Sequence, residues 1–543
     1  MIENVNKEEP LFFDLETQGL YGEILLASFY QKGWPEAIVI ERPNSYDLLS
    51  FLIDKYIIGH NIHYDISTIQ VQTKTNFIPY KFDDTFIAAK LRWPAKENFD
   101  LESVCLYALG FNPYESNKKD LQKSFKKGLY SQAQIEYAKK DTYYLAQIWE
   151  KCKTVTDSFV YKQDIRTLKI ALNFQNNGLY LDINKSFEYL SLNKEKVQKI
   201  NLPINPNSYV QVRPYIESEE SDDLALAKLA LQGNEKAEQV RIVRKLLKEN
   251  SFIQKFLDSC DSDNKIYGKF SPKTRSGRFA SFDQNLQQIP RNLKKLFSVP
   301  EGHVIIYSDF SQLELRTIAA ITGDKIMCQL FKEGIDLHGY TAEILFGKDW
   351  TKRERQIAKT FNFGLLYGAG VGVAKSMLIQ NANIWLTEDE IIDKKQKWHN
   401  LYSGITAWQE QGKSAWRHQQ LWSTPCGRKY LGARLTDQLN IMNQGFGAEI
   451  SKLALIYIDE ILQDSEFELN NYIHDSFYIT GPDKPAEYKE VAKKVGECMQ
   501  RAWQELVNGT EVKAKDIPMP VNVRVGYNWG DIESDKFVWE INL

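Results

Sequence analysis

The chain has 543 residues, 43% of them hydrophobic, and a formal net charge of −3 at pH 7. That length allows several globular domains, and no apolar run is long enough to span a membrane. A near-neutral total excludes recognition of nucleic acid by bulk charge, so such a partner would need a local basic surface. The six cysteines are far apart with no CxxC pair, which predicts reduced thiols in a cytoplasmic setting and neither a disulfide framework nor a zinc site. Residues 1–10 are polar and carry no secretory signal.

The first predicted strand is Leu11-Phe12-Phe13-Asp14-Leu15-Glu16-Thr17. Alternation puts Asp14 and Glu16 on one face, where two carboxylates repel unless a cation lies between them. A second apolar strand, Tyr56 to Gly59, runs into His60-Asn61-Ile62-His63-Tyr64-Asp65. This segment is predicted to open a helix with Asn61 as its cap and Asp65 four residues on. A helical run over residues 131–151 sets Tyr137 and Asp141 one turn apart on a shared face.

Asn173 to Asp182 reads as a turn followed by a short strand. Residues 184–200 and 222–258 are predicted helical. The latter forms a long amphipathic hairpin with Arg241, Arg244, Lys245 and Lys248 on its basic side. From Lys265 to Lys295 eight basic residues stand against one acid, Asp283. Such a strip is either a solvated loop or a phosphate-binding surface. It holds Arg278, Asn285 and Gln287, side-chain types that can read the acceptors shared by all base pairs in the minor groove.

Val304-Ile305-Ile306 predicts a buried strand that delivers Asp309 to its end. In isolation Asp309 is equally a helix cap or a cation ligand. Arg355, Lys359, Phe363 and Tyr367 then recur every fourth residue, on one broad helix face. Ile357, Phe361 and Leu365 supply a separate packing stripe. Two cations followed by two rings suit a nucleoside triphosphate. Asn471 to Ile479 reads as a hairpin strand carrying His474 and Asp475.

The order DxE, NxxxYD, YxxxD resembles the three motifs of the DEDD 3′–5′ exonucleases of the tyrosine subclass. The resemblance implies a ribonuclease-H-like α/β domain over residues 1–155. Asp14, Glu16, Asp65 and Asp141 would hold two Mg²⁺ or Mn²⁺ ions there, and Tyr137 would orient the attacking water on a single-stranded 3′ end.

The remaining motifs resemble family A DNA polymerases. They are Thr274-Arg275-Ser276-Gly277-Arg278 with Asn285-Leu286-Gln287-Gln288-Ile289-Pro290, the DxSQxELR run from Asp309, RxxxKxxxFxxxYG from Arg355, Asn440-Ile441-Met442-Asn443-Gln444-Gly445, and His474-Asp475. The fold class implied is a multidomain α/β chain: the exonuclease domain plus a right-hand polymerase of thumb, palm with an antiparallel sheet, and helical fingers. The expected divisions are connector and thumb at 156–268, palm at 269–322 and 420–543, and fingers at 323–419.

By this resemblance Asp309 and Asp475 hold two further Mg²⁺ ions. Arg355, Lys359 and His338 meet the triphosphate, with Lys359 as proton donor to the pyrophosphate. Glu314 excludes a 2′-hydroxyl, Phe363 packs at the sugar and disfavours dideoxynucleotides, and Tyr367 closes the insertion site. Arg278, Asn285, Gln287, Asn440, Gln444 and His474 contact primer–template DNA. Phe310 stands where Tyr is common, and Ser476 where the family usually has Glu. The implied reaction is addition of dNTPs to a primer 3′ end, with proofreading.

Further expectations are a monomer, no membrane partner, unspecified replisome partners and no preceding 5′-nuclease domain. The wording around Lys359 is similar to bacteriophage replicases acting in the host cytoplasm, with an organellar enzyme as the alternative. Two rival readings remain: a nuclease whose polymerase-like part only grips DNA, and a non-catalytic DNA-binding protein.

Overall fold

The structure is a computed structural model and describes residues 2, 5–114 and 123–543. The chain divides into two compact units. One comprises Met1–Asn177, Gly268–Asp283 and Cys426–Leu431; the other comprises Gly178–Tyr267, Gln284–Pro425 and Gly432–Leu543.

The first unit is built on a five-stranded sheet: β1 (Leu11–Thr17), β2 (Ile24–Gln31), β3 (Ile38–Glu41), β4 (Tyr56–Gly59) and β5 (Lys81–Asp84), in the order β3-β2-β1-β4-β5. β1, β2 and β3 pair antiparallel, whereas β4 lies parallel to both β1 and β5. In β1 the alternation holds on its second half: Phe13 and Leu15 are buried, while Asp14 and Glu16 stay partly open on the other face. α1 (His63–Thr73) follows β4, and α2 (Gln132–Cys152) packs across β1 and β2. A capping box between Ser131 and Gln134 starts α2, satisfying backbone donors that the first turn leaves open.

α3 (Phe159–Phe174) completes the unit and carries the two later segments. A short antiparallel ribbon, Lys269–Ser271 with Ala280–Phe282, packs on it through Phe174 and Phe270, whose ring centroids are 4.8 Å apart. Arg428 reaches Asp164 of α3 in a two-point ion pair of 2.9 and 3.1 Å. The cationic strip is therefore not a solvated loop at this end: Lys269 is only 6% exposed.

The second unit begins with α4 (Ile183–Ile200), α5 (Tyr209–Ile216), α6 (Asp223–Leu231) and α7 (Glu235–Ser259). Val212, Ile216, Leu226, Ala237 and Val240 form a small core of their own among the last three. A sheet then forms from β6 (His303–Phe310), followed by helices α8 (Leu313–Thr322), α9 (Leu337–Phe346), α10 (Lys352–Leu366), α11 (Val371–Ala382) and α12 (Leu435–Leu462). β7 (Glu468–Ile473), β8 (Ser476–Pro482), α13 (Pro485–Gly509), β9 (Val521–Gly526) and β10 (Trp539–Asn542) close the chain. The order is β7-β8-β6-β9-β10 with antiparallel pairings. β6 is central, and its Val304, Ile305 and Ile306 are 0% exposed, as an apolar run flanked on both edges should be.

Two of these expectations need correction. Asn61 does not cap α1: its φ is +64°, its own N–H donates to Asp84, and the helix starts at His63 with no side-chain cap. The hairpin expected over 222–258 forms as α6 and α7, joined at Gln232–Asn234, where Gly233 adopts φ +90° and Asn234 accepts from the Ala237 N–H to start α7. Only Gly takes such a φ without strain. The single strand expected over 471–479 is two strands joined at His474-Asp475. After β9 come a helical turn, Trp529–Ile532, and β10.

Candidate active sites

In the first unit, β1 and α2 bring three acids together. Carboxylate oxygens of Asp14, Glu16 and Asp141 lie within 4.8 Å of one another. A set of hard oxygen donors so close fits a divalent cation of the Mg²⁺ or Mn²⁺ kind. Asp65 stands outside this trio. Its Oδ1 accepts the buried Leu15 N–H at 3.0 Å, and burial raises its carboxyl above the usual range. It couples α1 to β1 at the point where β1 presents Asp14 and Glu16. Tyr137 is buried one turn before Asp141, with its ring 5.9 Å from that of Tyr114. Burial, then the charge of Asp141, pushes the Tyr137 phenol up, so it remains a neutral donor.

Two residues of this site escaped the sequence reading. Asp84 accepts from the N–H groups of Asn61 (3.0 Å), Ile62 (3.1 Å) and Phe86 (2.7 Å), and so holds the turn that leads into α1. It looked like an ordinary helix cap at the end of a strand, which it also is. Lys273 lines the same cavity of about 390 Å³ as Asp14, Glu16, Tyr137 and Asp141. It lies far from them in sequence, and no local pattern connects it to them.

In the second unit, β6 and β8 pair Asp309 with Ser476, so Asp475 stands one residue from the partner of Asp309. Burial pushes the Asp309 carboxyl up to about 6; an acid so placed favours a cation beside it. Where a third acid is usual, the Ser476 hydroxyl donates to Asp309 Oδ1 at 2.9 Å. The turn places His474 at φ +59° with its side chain exposed. The Arg316 of the same motif is structural: it donates to the Ser311 and Pro518 carbonyls at 2.9 and 2.6 Å.

α10 presents Arg355, Lys359 and Phe363 as the spacing predicts, and Tyr367 caps its C-terminal end. Arg355 is engaged by Asp336 through bonds of 2.6 and 2.9 Å. Lys359 is exposed. The Tyr367 hydroxyl donates to the Glu314 carboxylate. Asn443 joins them, donating to Tyr367 Oη at 3.0 Å and to the Glu314 carbonyl at 2.9 Å.

His338 is buried beside Phe363, ring centroids 5.9 Å apart, and burial holds its imidazole down at about 4. It is therefore neutral near pH 7, and its tautomer follows from Asn362. The Trp398 indole, a donor only, bonds Asn362 Oδ1 at 2.8 Å. That leaves Asn362 Nδ2 to donate to His338 Nδ1 at 3.0 Å, so the ring proton resides on Nε2. Asn362 and Asn443 were both passed over in sequence, because an Asn inside a helical stretch carries no local signal of what it bonds.

Of the expected DNA contacts, Gln287 donates to the Tyr472 carbonyl at 2.8 Å, and Asn285 is exposed. Asn440 and Gln444 lie on α12, and the Oδ1 of Asn440 is buried with no partner among the described residues. Arg278 belongs to the first unit, Asn285 and Gln287 to the second. Arg241, Arg244, Lys245 and Lys248 line a groove of about 960 Å³ along α7.

Comparison with known proteins bears on the family of each part of the chain. The profile of the family described as DNA polymerase family A matches residues 213–531, and that of the 3′–5′ exonuclease matches residues 1–157. DNA polymerase I of Aquifex aeolicus is 25% identical over 97% of this chain and 97% of its own length. The DNA polymerase of Mycobacterium phage D29 is 31% identical over 50% of this chain and 46% of its own. The thermostable DNA polymerase I of Thermus thermophilus is 28% identical; the match covers 47% of this chain and 31% of that relative. A solved structure, the POL domain of Pol1 from M. smegmatis in complex with DNA primer-template and dNTP, superposes with a TM-score of 0.78 at 18% identity, covering 96% of each chain. That likeness bears on the fold. The chain is thus of the class of DNA-directed DNA polymerases with a 3′–5′ exonuclease domain. It belongs to DNA polymerase family A. Among the described residues no helix is long and apolar enough to cross a membrane.

Proposed function

We propose that the chain adds dNTPs to a primer 3′ end on a DNA template, by in-line attack of the primer hydroxyl on the α-phosphate. The observation that carries this reading is the pairing of Asp309 with Ser476, which sets Asp475 beside Asp309 at one end of the central strands. Two divalent cations bound at these acids would neutralise the attacking and leaving oxygens. The chain's own part is positioning and charge. Arg355 and Lys359 bind the triphosphate, which requires Arg355 to share or exchange Asp336. Neutral His338 donates from Nε2 to a phosphate oxygen. Lys359 supplies a proton to the departing pyrophosphate. Glu314, held by Tyr367 and Asn443, leaves no room for a 2′-hydroxyl, and Phe363 packs against the sugar.

In the exonuclease domain Asp14, Glu16 and Asp141, with Asp65 behind them, hold the cations, and Tyr137 donates to and orients the attacking water. The thumb comprises α4 to α7, the fingers residues 323–419, and the palm the second sheet with α8, α12 and α13. Arg278, Asn285, Gln287, Asn440, Gln444 and His474 meet primer–template DNA. The enzyme acts as a monomer in the cytoplasm. A bacteriophage replicative role is the narrower part of the proposal, supported by the wording around Lys359 and by the D29 relative. Failure of viral DNA synthesis on deletion of the gene tests it.

One labelled primer–template tests both sites. With dNTPs and Mg²⁺ the primer lengthens; without dNTPs it shortens. Asp309→Ala abolishes the first and spares the second, and Asp14→Ala does the reverse. Extension at the wild-type rate by Asp309→Ala and Asp475→Ala would leave a DNA-gripping nuclease as the better reading.

A further inference from the structure

The cavity around Asp14, Glu16 and Asp141 has an imbalance of charge. Asp100 and Glu102 line it too, which makes five carboxylates against a single cationic side chain among the described residues, Lys273. Its substrate, a single-stranded 3′ end, is itself anionic at every phosphate. Cations held by the central trio can offset charge at the bond being cut, but not along the strand leading away from it.

Lys273 reaches this cavity by a built route. The Lys90 ammonium donates to the carbonyls of Lys273 and Thr274, at 2.6 and 2.7 Å, pinning the backbone on both sides of its departure point. The Thr274 hydroxyl donates to the Arg278 carbonyl at 2.6 Å and closes the turn that follows. The ammonium itself lies 4.9 Å from the centre of the Phe282 ring, a cation–π contact that orients it without neutralising it. Its neighbour in the strip, Lys269, provides a contrast: it is buried against the Tyr21 ring and has no place in the cavity. The buried carboxylates of Asp65 and Asp84 act on this ammonium electrostatically, but none of the described residues forms a close ion pair with it, and a cation so held at the wall of an acidic cleft is open to an anionic ligand.

We propose that Lys273 is a substrate-binding residue of the exonuclease site, its ammonium neutralising a backbone phosphate of the single-stranded 3′ end. The proposal rests on the exonuclease reading given above. It also gives the ribbon of residues 268–283 a purpose within the first unit, since that ribbon is what delivers the ammonium.

The test is degradation of a labelled single-stranded oligodeoxynucleotide by the full chain and its Lys273→Gln, Lys273→Arg and Asp14→Ala variants, over a series of salt concentrations. Lys273→Gln raises KM about tenfold while kcat changes by less than about threefold, as expected for loss of one charge-assisted contact made equally in ground and transition states. The slope of log KM against log salt falls by about 0.7, the increment for one phosphate of a single strand. Lys273→Arg restores both, and primer extension by the two Lys273 variants stays at the wild-type rate, which shows that the fold is intact. A wild-type KM and salt slope in Lys273→Gln, with Asp14→Ala inactive, overturns this proposal alone. So does an equal loss in the Gln and Arg variants, which marks a packing role. Degradation absent from the wild type, or undiminished in Asp14→Ala, overturns the exonuclease reading and this proposal with it.

Discussion

Arg428→Met is the most informative single perturbation of the first unit. Arg428 and Asp164 form a two-point ion pair of 2.9 and 3.1 Å with side chains only 6% and 2% exposed. Removing the guanidinium leaves the Asp164 carboxylate buried without its cation, which costs about 3–5 kcal/mol. Replacing both members with apolar side chains of similar volume costs about nothing by comparison, since the penalty lies in the uncompensated charge. Arg428→Met should therefore lower the melting midpoint of the first unit by about 10 °C, and Asp164→Leu with Arg428→Met should recover most of it.

Gly277 gives an independent handle. It has φ +81°, and a Cβ there would stand 2.7 Å from the Arg428 guanidinium carbon. Gly277→Ala thus incurs backbone strain and displaces the same cation. The assay is thermal unfolding followed by near-ultraviolet circular dichroism, with exonuclease KM measured in parallel. Arg428→Met that melts within about 1 °C of wild type, or a double variant no better than the single one, would refute the argument that this pair carries a buried-charge penalty.

Three further outcomes follow from the same geometry. Ser476→Ala removes the donor to Asp309 Oδ1; the Mg²⁺ concentration for half-maximal primer extension should rise about three- to tenfold, with the rate at saturating Mg²⁺ nearly unchanged. Glu314→Ala opens the space beside Tyr367 and should cut discrimination against ribonucleotides by about 10–200-fold, read from the kcat/KM ratio of rNTP and dNTP in single incorporations. Burial lowers His63 to about 3 and His338 to about 4. Below about pH 6.5 the unfolded chain takes up protons that the folded chain refuses, so each contributes stability that is fully present above that pH and lost toward its folded value. For His338 that amounts to about 3 kcal/mol, and His338→Gln should flatten the dependence of unfolding free energy on pH between about 6.5 and 4.

How much of this was legible in the sequence depends on the range of the interaction involved. Asp14 and Glu16 share a face because strand alternation is local, and Tyr137 and Asp141 do so because a helical turn is local. Asp309 and Asp475 could be matched because each ends an apolar strand. Asp84, Asn362, Asn443 and Lys273 could not, since their partners are set by packing between segments distant in sequence. β10 was missed because the run from Trp539 to Asn542 is too short to show a period.

The strip from Lys265 to Lys295 illustrates the limit of motif reading most directly. As a motif, Thr274 to Pro290 is one phrase. Physically the strip is divided: residues 265–267 lie in the second unit, Asp283 ends a stretch of the first, and Gln284 begins the next stretch of the second. Both take positive φ, +56° and +115°, a costly conformation for residues with a side chain. Between residues 268 and 283, three of the basic residues serve the exonuclease unit: Lys269 in its packing, Lys273 at its cavity and Arg275 through a bond of 2.8 Å to the Tyr430 hydroxyl. Downstream, Gln287 and Leu286 are bonded to the strand β7 that leads into Asp475, through the Tyr472 carbonyl and the Asn471 side chain. A contiguous run of cations thus does not amount to one surface. Its stretches belong to different units, and substitutions at Lys273 and at Gln287 report on different chemistry.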